Sequence, residues 1–218
     1  MISGVDEAGR GPVLGPLVVA GITFGDDSEL IENGIRDSKK LTPKRREFLA
    51  KKIKEIAADY EVLVIPANDI DDMRKVMTLN EIEVNAFAKV IQRLKPDICY
   101  VDSADVNEER FKNDIKSRLT FKLEIVSKHK ADEIYPIVGA ASILAKTRRD
   151  EEIRKIAYEL QKKLNMPFGS GYPADPITKK FLETWYKKYG KLPPYTRHSW
   201  KTVSNLIRNN KNSKIDDF

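Results

Sequence analysis

The sequence predicts an α/β fold built around a mixed five-stranded sheet flanked by helices. Two observations support this prediction. Five short apolar runs have the length of buried strands, and helical segments with clear start signals separate the later runs. Because helices alternate only with the later strands, the sheet should be mixed, with α/β character.

The predicted elements follow in order along the chain. Thr42 is an N-cap residue with proline at the first helical position, and Thr78 with Glu81 forms a capping box, so a helix begins after each threonine. Pro96 ends the second of these helices, and Asn107 or the residue before it starts a third. The strands are predicted at residues 2–6, 17–24, 60–65, 98–102 and 123–127, and the helices at residues 43–58, 79–94 and about 107–119.

The character of the chain changes after about residue 150, where basic helices dominate. They are predicted at residues 151–164, 177–189 and 199–207, with the Gly-rich turn 169–173 and a Pro-rich turn between them. We therefore divide the chain into a sheet domain at residues 1–150, a smaller C-terminal helical region at residues 151–208 and a flexible polar tail at residues 209–218.

Composition narrows the classes of function. A net charge of +6 over 218 residues favours an anionic partner, nucleic acid before a membrane, although many basic proteins bind nothing anionic. No apolar run reaches the roughly 18 residues that a membrane helix needs, and no signal peptide is seen, so a cytoplasmic location is expected. The single cysteine, Cys99, excludes an internal disulfide and a Cys/His zinc site, and we interpret it as a buried strand residue.

The segment Gly-Val-Asp-Glu-Ala-Gly-Arg-Gly near the N-terminus is the clearest sign of chemistry. Asp6 and Glu7 are adjacent carboxylates, which repel each other unless a hard cation or a proton lies between them. The turn Gly9-Arg10-Gly11 follows at once; its glycines expose backbone amides, and arginine is the usual phosphate-binding fork. A chance acidic turn at a strand end is the alternative explanation.

Two further acids strengthen the interpretation. Asp102 ends an apolar run in the same way as Asp6, and Asp132 precedes a helical stretch rich in small residues. Sites in open α/β sheets form beyond the carboxyl ends of strands, where the strand order reverses. If the two acid-bearing strands are neighbours, Asp6 and Asp102 converge. Together with Glu7 and Asp132 they would supply the oxygen ligands that hard divalent cations such as Mg²⁺ prefer.

The order of these motifs resembles that of a known family, the type 2 ribonucleases H (ribonuclease HII) of the archaeal kind. The matching blocks are residues 6–11 (DEAGRG), 37–41 (DSKKL), Asp102, 130–132 (KAD), 140–146 (AASILAK) and 169–173 (GSGYP). The resemblance implies a ribonuclease H-like fold. It also implies an active site in which Asp6, Glu7, Asp102 and Asp132 are catalytic and hold one or two Mg²⁺ or Mn²⁺ ions.

The resemblance also implies how substrate is bound. Gly9, Arg10 and Gly11 would read the 2′-hydroxyl of a ribonucleotide through backbone groups, since that hydroxyl separates RNA from DNA. Tyr172 would stack on the sugar beyond the cleavage point; on its own, it would be an ordinary half-buried loop aromatic. Further candidate contacts, each also explained by solvation or packing, are Lys39, Lys40, Ser142, Lys146 and Arg148. Other acids near the motifs are interpreted as caps or turn formers: Asp37, Asp105, Glu133 and Asp175.

The leading hypothesis is a divalent-metal endonuclease that hydrolyses the RNA strand of RNA–DNA hybrids. It would also cut 5′ of single ribonucleotides in duplex DNA by a two-metal mechanism, leaving 5′-phosphate and 3′-hydroxyl ends. One alternative is a type 3 ribonuclease H, whose extra N-terminal domain is not expected in a sequence that begins at the first strand. Another is a hybrid-binding module without catalysis. A mechanism based on the two histidines, His129 and His198, is a weaker alternative.

Partners are predicted from the same pattern. RNA–DNA hybrids and ribonucleotide-containing duplex DNA are the expected substrates, and the protein is expected to be a monomer. Residues 212–218 resemble the short peptides that bind DNA sliding clamps, with Asn212 in place of the usual glutamine and only one aromatic residue, Phe218. A solubilising tail without structure is the alternative for this segment.

Overall fold

The structure is a computed structural model that describes residues 1–32, 34–35 and 41–212, with only the backbone of residues 209–212. The candidate contacts Lys39 and Lys40, and residues 213–218 of the predicted tail, lie outside the described residues. The strands are β1 (Ile2–Ala8), β2 (Leu17–Phe24), β3 (Asp59–Ile65), β4 (Ile98–Asp102) and β5 (Glu124–Lys128). The helices are α1 (Ser28–Glu32), α2 (Pro43–Ile56), α3 (Ala67–Met73), α4 (Leu79–Leu94), α5 (Glu108–Lys116), α6 (Ala131–Ile134), α7 (Pro136–Leu164), α8 (Pro176–Tyr189) and α9 (Lys201–Asn212).

The strands form one mixed sheet in the order β3-β2-β1-β4-β5. Strand β1 pairs antiparallel with β2 and parallel with β4, and β4 pairs parallel with β5. The chain therefore leaves β1 toward one side of the sheet and later returns on its other side, so the strand order reverses between β1 and β4. The predicted mixed, helix-flanked sheet of five strands is confirmed.

Local sequence signals account for most element boundaries. Thr42 accepts a hydrogen bond from the Arg45 amide at the start of α2, and Thr78 forms the complete capping box with Glu81 at the start of α4. Asn107 caps α5 in the same way. All eight residues of β2 are buried, as an uninterrupted apolar run predicts for a central strand.

Some boundaries differ from the prediction. Helices α1, α3 and α6 were not predicted, because each is seven residues or shorter and shows no repeated apolar face. The helix predicted to start at Glu151 is the second half of α7, which is continuous for 29 residues. Helix α9 extends to Asn212, so residues 209–212 are helical where a tail was predicted.

The described chain divides into two compact units. Unit 1 comprises residues 1–8, 18–64 and 77–149, and unit 2 comprises residues 9–17, 65–76 and 150–218. The last crossing between them falls at Arg149, beside the boundary predicted at residue 150. No pattern in the sequence predicts that residues 9–17 and 65–76 belong with the C-terminal helices. None of the described helices is long and apolar enough to cross a membrane.

The core of unit 1 packs the N-terminal half of α7 against the sheet. Ala140, Ala141 and Ala145 are completely buried in this core. Gly4 of β1 shows how close the approach is, because a Cβ atom there would lie 2.4 Å from the carbonyl oxygen of Ile137. Only glycine at this position lets the helix backbone approach the strand so closely.

Unit 2 has a core of its own, in which aromatic rings are prominent. Phe168 and Phe181 meet edge to face with centroids 5.3 Å apart, and Trp185 lies 5.9 Å beyond Phe181. Val13 and Leu14, from the segment that follows β1, are fully buried in this cluster. Apolar burial therefore explains why a segment so distant in sequence joins the C-terminal helices.

Candidate active site

Two acidic residues converge at the carboxyl ends of β1 and β4. These strands are parallel neighbours in which Val5 lies opposite Val101, and Asp6 and Asp102 are the next residue of each strand. The expectation that the acid-bearing strands are neighbours is confirmed. Since the strand order reverses between them, this end of the sheet is where an α/β fold places a site.

Asp6 is a buried carboxylate in a repulsive environment, with only 4% of its surface exposed. Its pKa is raised from 3.8 to about 7, and burial is the largest cause, followed by the negative charge of Asp102. A hydrogen bond from Ser142, the positive charge of Lys146 and the Glu7 amide, which donates to Oδ1 at 2.7 Å, act in the opposite direction. Near neutral pH the Asp6–Asp102 pair therefore favours a proton or a cation between its oxygens.

Asp102 links β4 to the segment that carries Asp132. Its Oδ1 accepts a hydrogen bond of 2.9 Å from the backbone amide of Ala131, the first residue of α6. The preceding residue, Lys130, has a left-handed backbone with φ of 56°, which turns the chain into this helix. Asp132 follows directly and is 4% exposed.

Helix α7 brings a hydroxyl and a cation to the same acids. Ser142 and Lys146 are four residues apart and therefore lie on one face of the helix. The Nζ atom of Lys146 lies 3.7 Å from Oδ2 of Asp132, and its charge also acts on Asp6. Lys146 thus connects Asp132 electrostatically with the pair formed by Asp6 and Asp102.

The arrangement is open rather than a closed cage. Within the described ranges, no group of three or more His, Cys, Asp and Glu side chains is placed to hold a metal ion by itself. Glu7 is half-buried and follows Asp6 in β1. Such an open arrangement of carboxylates suits a cation that keeps waters and shares its remaining positions with a phosphate, as Mg²⁺ does.

In unit 2, the Gly9-Arg10-Gly11 turn is held by a buried arginine. Arg197 is completely buried and donates to the carbonyl oxygens of Gly9 at 2.6 Å, of Arg10 at 3.0 Å and of Gly15 at 2.9 Å. Gly9 has a φ of 92°, which explains why glycine is needed there. The turn is therefore a defined structure with its peptide groups fixed from one side.

Tyr172 lies beside the same turn. Its ring faces Gly11, and a Cβ atom added to that glycine would lie 3.7 Å from the ring. The carbonyl of Gly171 accepts hydrogen bonds from the amides of Val13 and Leu14 at 2.8 and 3.2 Å, which join the two loops. The Tyr172 side chain is 40% exposed and so remains accessible.

Comparison with known proteins identifies the family. The sequence profile of the family described as Ribonuclease HII matches residues 3–203. The chain belongs to the ribonuclease HII family. Ribonuclease HII of Methanosarcina barkeri is 48% identical over 216 residues, covering 94% of this chain and 95% of that protein. Ribonuclease HII of Pyrococcus abyssi is 45% identical and covers 100% of this chain and 96% of that protein.

Comparison with solved structures supports the same family. Ribonuclease H2 from Pyrococcus horikoshii superposes with a TM-score of 0.87 at 43% identity, covering 96% of this chain and 98% of that one. The ribonuclease HII in a PCNA:RNase HII complex from Archaeoglobus fulgidus gives 0.85 at 46% identity, covering 94% and 96%. Bst-RNase HIII gives 0.75 at 19% identity, covering 96% and 70%, and shares the fold.

Membership of the ribonuclease HII family confirms the predicted resemblance. It also makes the chain an enzyme, a type 2 ribonuclease H with ribonuclease H activity on RNA–DNA.

The structure also gives the positions of other residues that were singled out from the sequence of this ribonuclease. Arg148 is half-buried on α7, two residues beyond Lys146. Asp175 caps α8 and Asp105 accepts from the Asn107 amide, so their interpretation as cap and turn former is confirmed. Cys99 is buried in β4, also as predicted.

Sequence reasoning missed three residues that shape the Gly-Arg-Gly turn. Arg197 supplies the hydrogen bonds described above, and Trp200 donates from Nε1 to the Gly11 carbonyl at 3.3 Å. Asp71 binds the turn that carries Arg197. No local motif marks them, because all three act on backbone groups that are distant in sequence.

Proposed function

We propose that this ribonuclease HII hydrolyses the RNA strand of RNA–DNA hybrids and also cuts 5′ of single ribonucleotides embedded in duplex DNA. The products would carry 5′-phosphate and 3′-hydroxyl ends. Such an activity would serve ribonucleotide and RNA-primer removal during replication and repair. The observation that carries the proposal is the buried Asp6 carboxylate beside the half-buried Asp102 at the end of two parallel strands, with Asp132 and Lys146 close by.

The donor set fits divalent cations. All the candidate ligands are carboxylates. Burial first, and the charge of Asp102 second, raise the pKa of Asp6, and a bound cation would stabilise the ionised carboxylate against both effects. Asp6, Asp102 and Asp132, with Glu7 from the same strand end, would hold one or two Mg²⁺ or Mn²⁺ ions. When bound, these ions would activate a water molecule and stabilise the departing oxygen of the phosphodiester.

The chain's own groups have separate tasks in this mechanism. Asp6 and Asp102 would fix the position of the cation because their strands are rigid parts of one sheet. Ser142 would orient the Asp6 carboxylate by its hydrogen bond. Lys146, 30% exposed and 3.7 Å from Asp132, would offset part of the negative charge as the phosphate approaches.

Selection of a ribonucleotide would depend on the Gly9-Arg10-Gly11 turn and on Tyr172. Fixed peptide groups can test for a 2′-hydroxyl, which is both donor and acceptor. The exposed face of the Tyr172 ring would stack on the sugar of the next nucleotide. The position of the Tyr172 ring beside Gly11, and the hydrogen bonds from Val13 and Leu14 to the Gly171 carbonyl, support a common role for the two loops.

The deciding experiment compares cleavage of duplex DNA that contains one ribonucleotide with an all-DNA duplex, in Mg²⁺ or Mn²⁺. Asp6→Asn and Asp102→Asn should each abolish cleavage or nearly so, because each removes a ligand charge. Asp97→Asn is the matched control, since Asp97 is 81% exposed and pairs with the N-terminal amine instead. Near wild-type turnover in either site variant at saturating metal would reject the catalytic assignment.

We further propose that the protein acts as a monomer and that residues 212–218 bind a sliding clamp. A relative from Archaeoglobus fulgidus, 46% identical, was solved as a PCNA:RNase HII complex, which supports this partner. Ile215 and Phe218 would enter an apolar pocket as the segment folds on binding. Calorimetry against the clamp of the same organism should show binding by the intact chain and none by a chain ending at Asn209. Lys214→Ala is a matched control for Phe218→Ala, and equal binding by both variants would contradict the proposal.

A further inference from the structure

Asp71, on α3, is engaged by a turn that lies more than one hundred residues later in the chain. Its Oδ2 accepts from the backbone amide of His198 at 2.6 Å, and its Oδ1 accepts from the amide and hydroxyl of Ser199 at 2.9 and 2.7 Å. The carboxylate thus fixes two successive peptide groups and one side chain. Charge-assisted hydrogen bonds of this kind are about twice as strong as neutral ones.

The residue immediately before this anchored turn is Arg197. Its side chain donates to the carbonyls of Gly9, Arg10 and Gly15, and its own amide donates to the carbonyl of Val13 at 2.9 Å. The ring of Trp200 lies 4.8 Å from the guanidinium. A guanidinium can serve three carbonyls at once only if its backbone is held in one place, because its donors form a rigid fork.

We propose that Asp71 is a positioning residue for ribonucleotide selection. By holding the backbone of His198 and Ser199, it sets the position of Arg197, and Arg197 in turn sets the peptide groups of the Gly9-Arg10-Gly11 turn. This inference rests on the proposed function, in which that turn reads the 2′-hydroxyl. Asp71 itself touches no reacting atom.

The chemistry of the anchor calls for a carboxylate. Three donors approach the two oxygens of Asp71, and an asparagine would offer one acceptor oxygen in place of two. The next residue, Asp72, provides a matched control. It lies on the same short helix, its side chain is 69% exposed, and its carboxylate pairs with Lys75 at 2.6 Å.

The test measures binding and cleavage separately. Affinities for a duplex with one ribonucleotide and for the same all-DNA duplex are measured with Ca²⁺ in place of Mg²⁺. Cleavage of the first duplex is then measured in Mg²⁺. The variants are Asp71→Ala and Asp71→Asn, with Asp72→Ala and Asp72→Asn as controls. Ser199→Ala removes only one of the three hydrogen bonds and serves if the Asp71 variants fold poorly.

We expect Asp71→Ala to lower kcat/KM by at least about tenfold, because displacing a substrate-positioning loop by about 1 Å has effects of that size or larger. The preference for the ribonucleotide duplex over the all-DNA duplex should fall toward one, while affinity for the all-DNA duplex is retained. The kcat/KM and the binding preference of Asp71→Asn and Ser199→Ala should lie between those of the wild type and Asp71→Ala. Both Asp72 variants should match the wild type.

Other outcomes separate the two proposals. If Asp71→Ala keeps the wild-type binding preference, or weakens binding to both duplexes equally, the positioning role is wrong. If the wild type prefers the ribonucleotide duplex but cleaves nothing, the proposed function fails, and the binding ratio still decides the role of Asp71. A wild type that binds both duplexes equally would overturn the positioning role, and one that also fails to cleave the ribonucleotide duplex would overturn both proposals.

Discussion

Replacing Gly4 by alanine tests the contact that sets how closely α7 approaches β1. The added Cβ atom would lie 2.4 Å from the Ile137 carbonyl oxygen, 2.5 Å from its carbon and 2.7 Å from the Val138 nitrogen. All three are backbone atoms, so no change of rotamer can relieve the overlap. Gly4 does not have a positive φ, so the destabilising effect of alanine arises from this contact and not from backbone strain.

The size of the effect follows from the distances. Ordinary contact begins at 3.4 Å, so the start of α7 must retreat by about 1 Å. We expect this overpacking to lower the free energy of unfolding by about 3 kcal/mol. Alanine also restricts the unfolded chain, which raises the free energy of unfolding by roughly 0.5–1 kcal/mol. A net loss of about 2 kcal/mol corresponds to a fall in Tm of roughly 4–8 °C for a chain of this length.

The measurements are urea unfolding followed by circular dichroism, and the cleavage rate at saturating Mg²⁺. Because Ser142 lies on the helix that must retreat, and Asp6 lies two residues beyond Gly4, kcat should also fall by about tenfold or more. Gly25→Ala is the matched control, since nothing lies within 4 Å of a Cβ atom there. If both alanine variants unfold at the same urea concentration, the close contact is not the constraint that the structure indicates.

Three further substitutions have expected outcomes. Tyr172→Ala should impair cleavage of a single embedded ribonucleotide more than cleavage of a long hybrid. Tyr172→Phe keeps the ring beside Gly11 and should cleave both substrates like the wild type. Equal losses of cleavage of both substrates in Tyr172→Ala would contradict the proposed role of Tyr172. Ser142→Ala removes a hydrogen bond that lowers the pKa of Asp6, so titration should show a higher half-maximal Mg²⁺ concentration, and an unchanged requirement would count against this orientation of Asp6. Asp175→Ala should lower the free energy of unfolding by about 1–2 kcal/mol at pH 7, because the N-cap and the hydrogen bonds from Ser170 are lost. Hydrogen bonds, first of all from the Ser170 amide, lower the pKa of Asp175 in the folded protein to about 2. The ionised carboxylate therefore stabilises the fold above about pH 4, and this stabilisation disappears as the pH falls through 2. Unfolding curves of the wild type and Asp175→Ala at pH 7 and pH 2 test this, and a difference in stability between them that persists at pH 2 would contradict it.

The sequence predicted that Asp6 and Asp102 meet at one end of the sheet because the signals for this are local. Asp6 and Asp102 each end an apolar run, and the rule that sites form where strand order reverses needs only the parallel pairing of β1 with β4. The capping residues Thr42, Thr78 and Asn107 also act within three residues of themselves. Signals of this range can be recognised without knowing the tertiary structure.

The hydrogen bonds that support the Gly-Arg-Gly turn could not be predicted, because they join residues that are far apart in the sequence. Arg197 binds the carbonyl of Gly9 across 188 positions of the chain, and backbone carbonyls carry no sequence signature. Asp71 likewise reaches the amides of His198 and Ser199 across 127 and 128 positions. Both residues lie in stretches without apolar periodicity, which sequence reasoning treats as loops.

The continuity of α7 was missed because a local signal was misleading. The acidic residues from Asp150 to Glu152 look like the first turn of a new helix, where acids are favoured. The structure continues the helix through them, since no proline or glycine lies between Gly139 and Leu164 to interrupt it. Acids in a helix interior are tolerated when they are at least partly exposed, as these three are.

The burial of Asp6 beside Asp102 is expected to lower the stability of the metal-free protein at neutral pH. Burial and the Asp102 charge raise the folded pKa of Asp6 above its ordinary value, so ionising it in the folded state is unfavourable and stability falls as the pH rises from about 4 to about 7. Asparagine carries no charge, and its oxygen can still accept from Ser142 and the Glu7 amide. Metal-free Asp6→Asn should therefore unfold at a higher urea concentration than the wild type at pH 8, by a margin that shrinks at pH 5, while it loses cleavage. Unfolding in the presence of a chelator at the two pH values measures this, and a variant less stable than the wild type at both would show that the carboxylate is held for structural reasons instead.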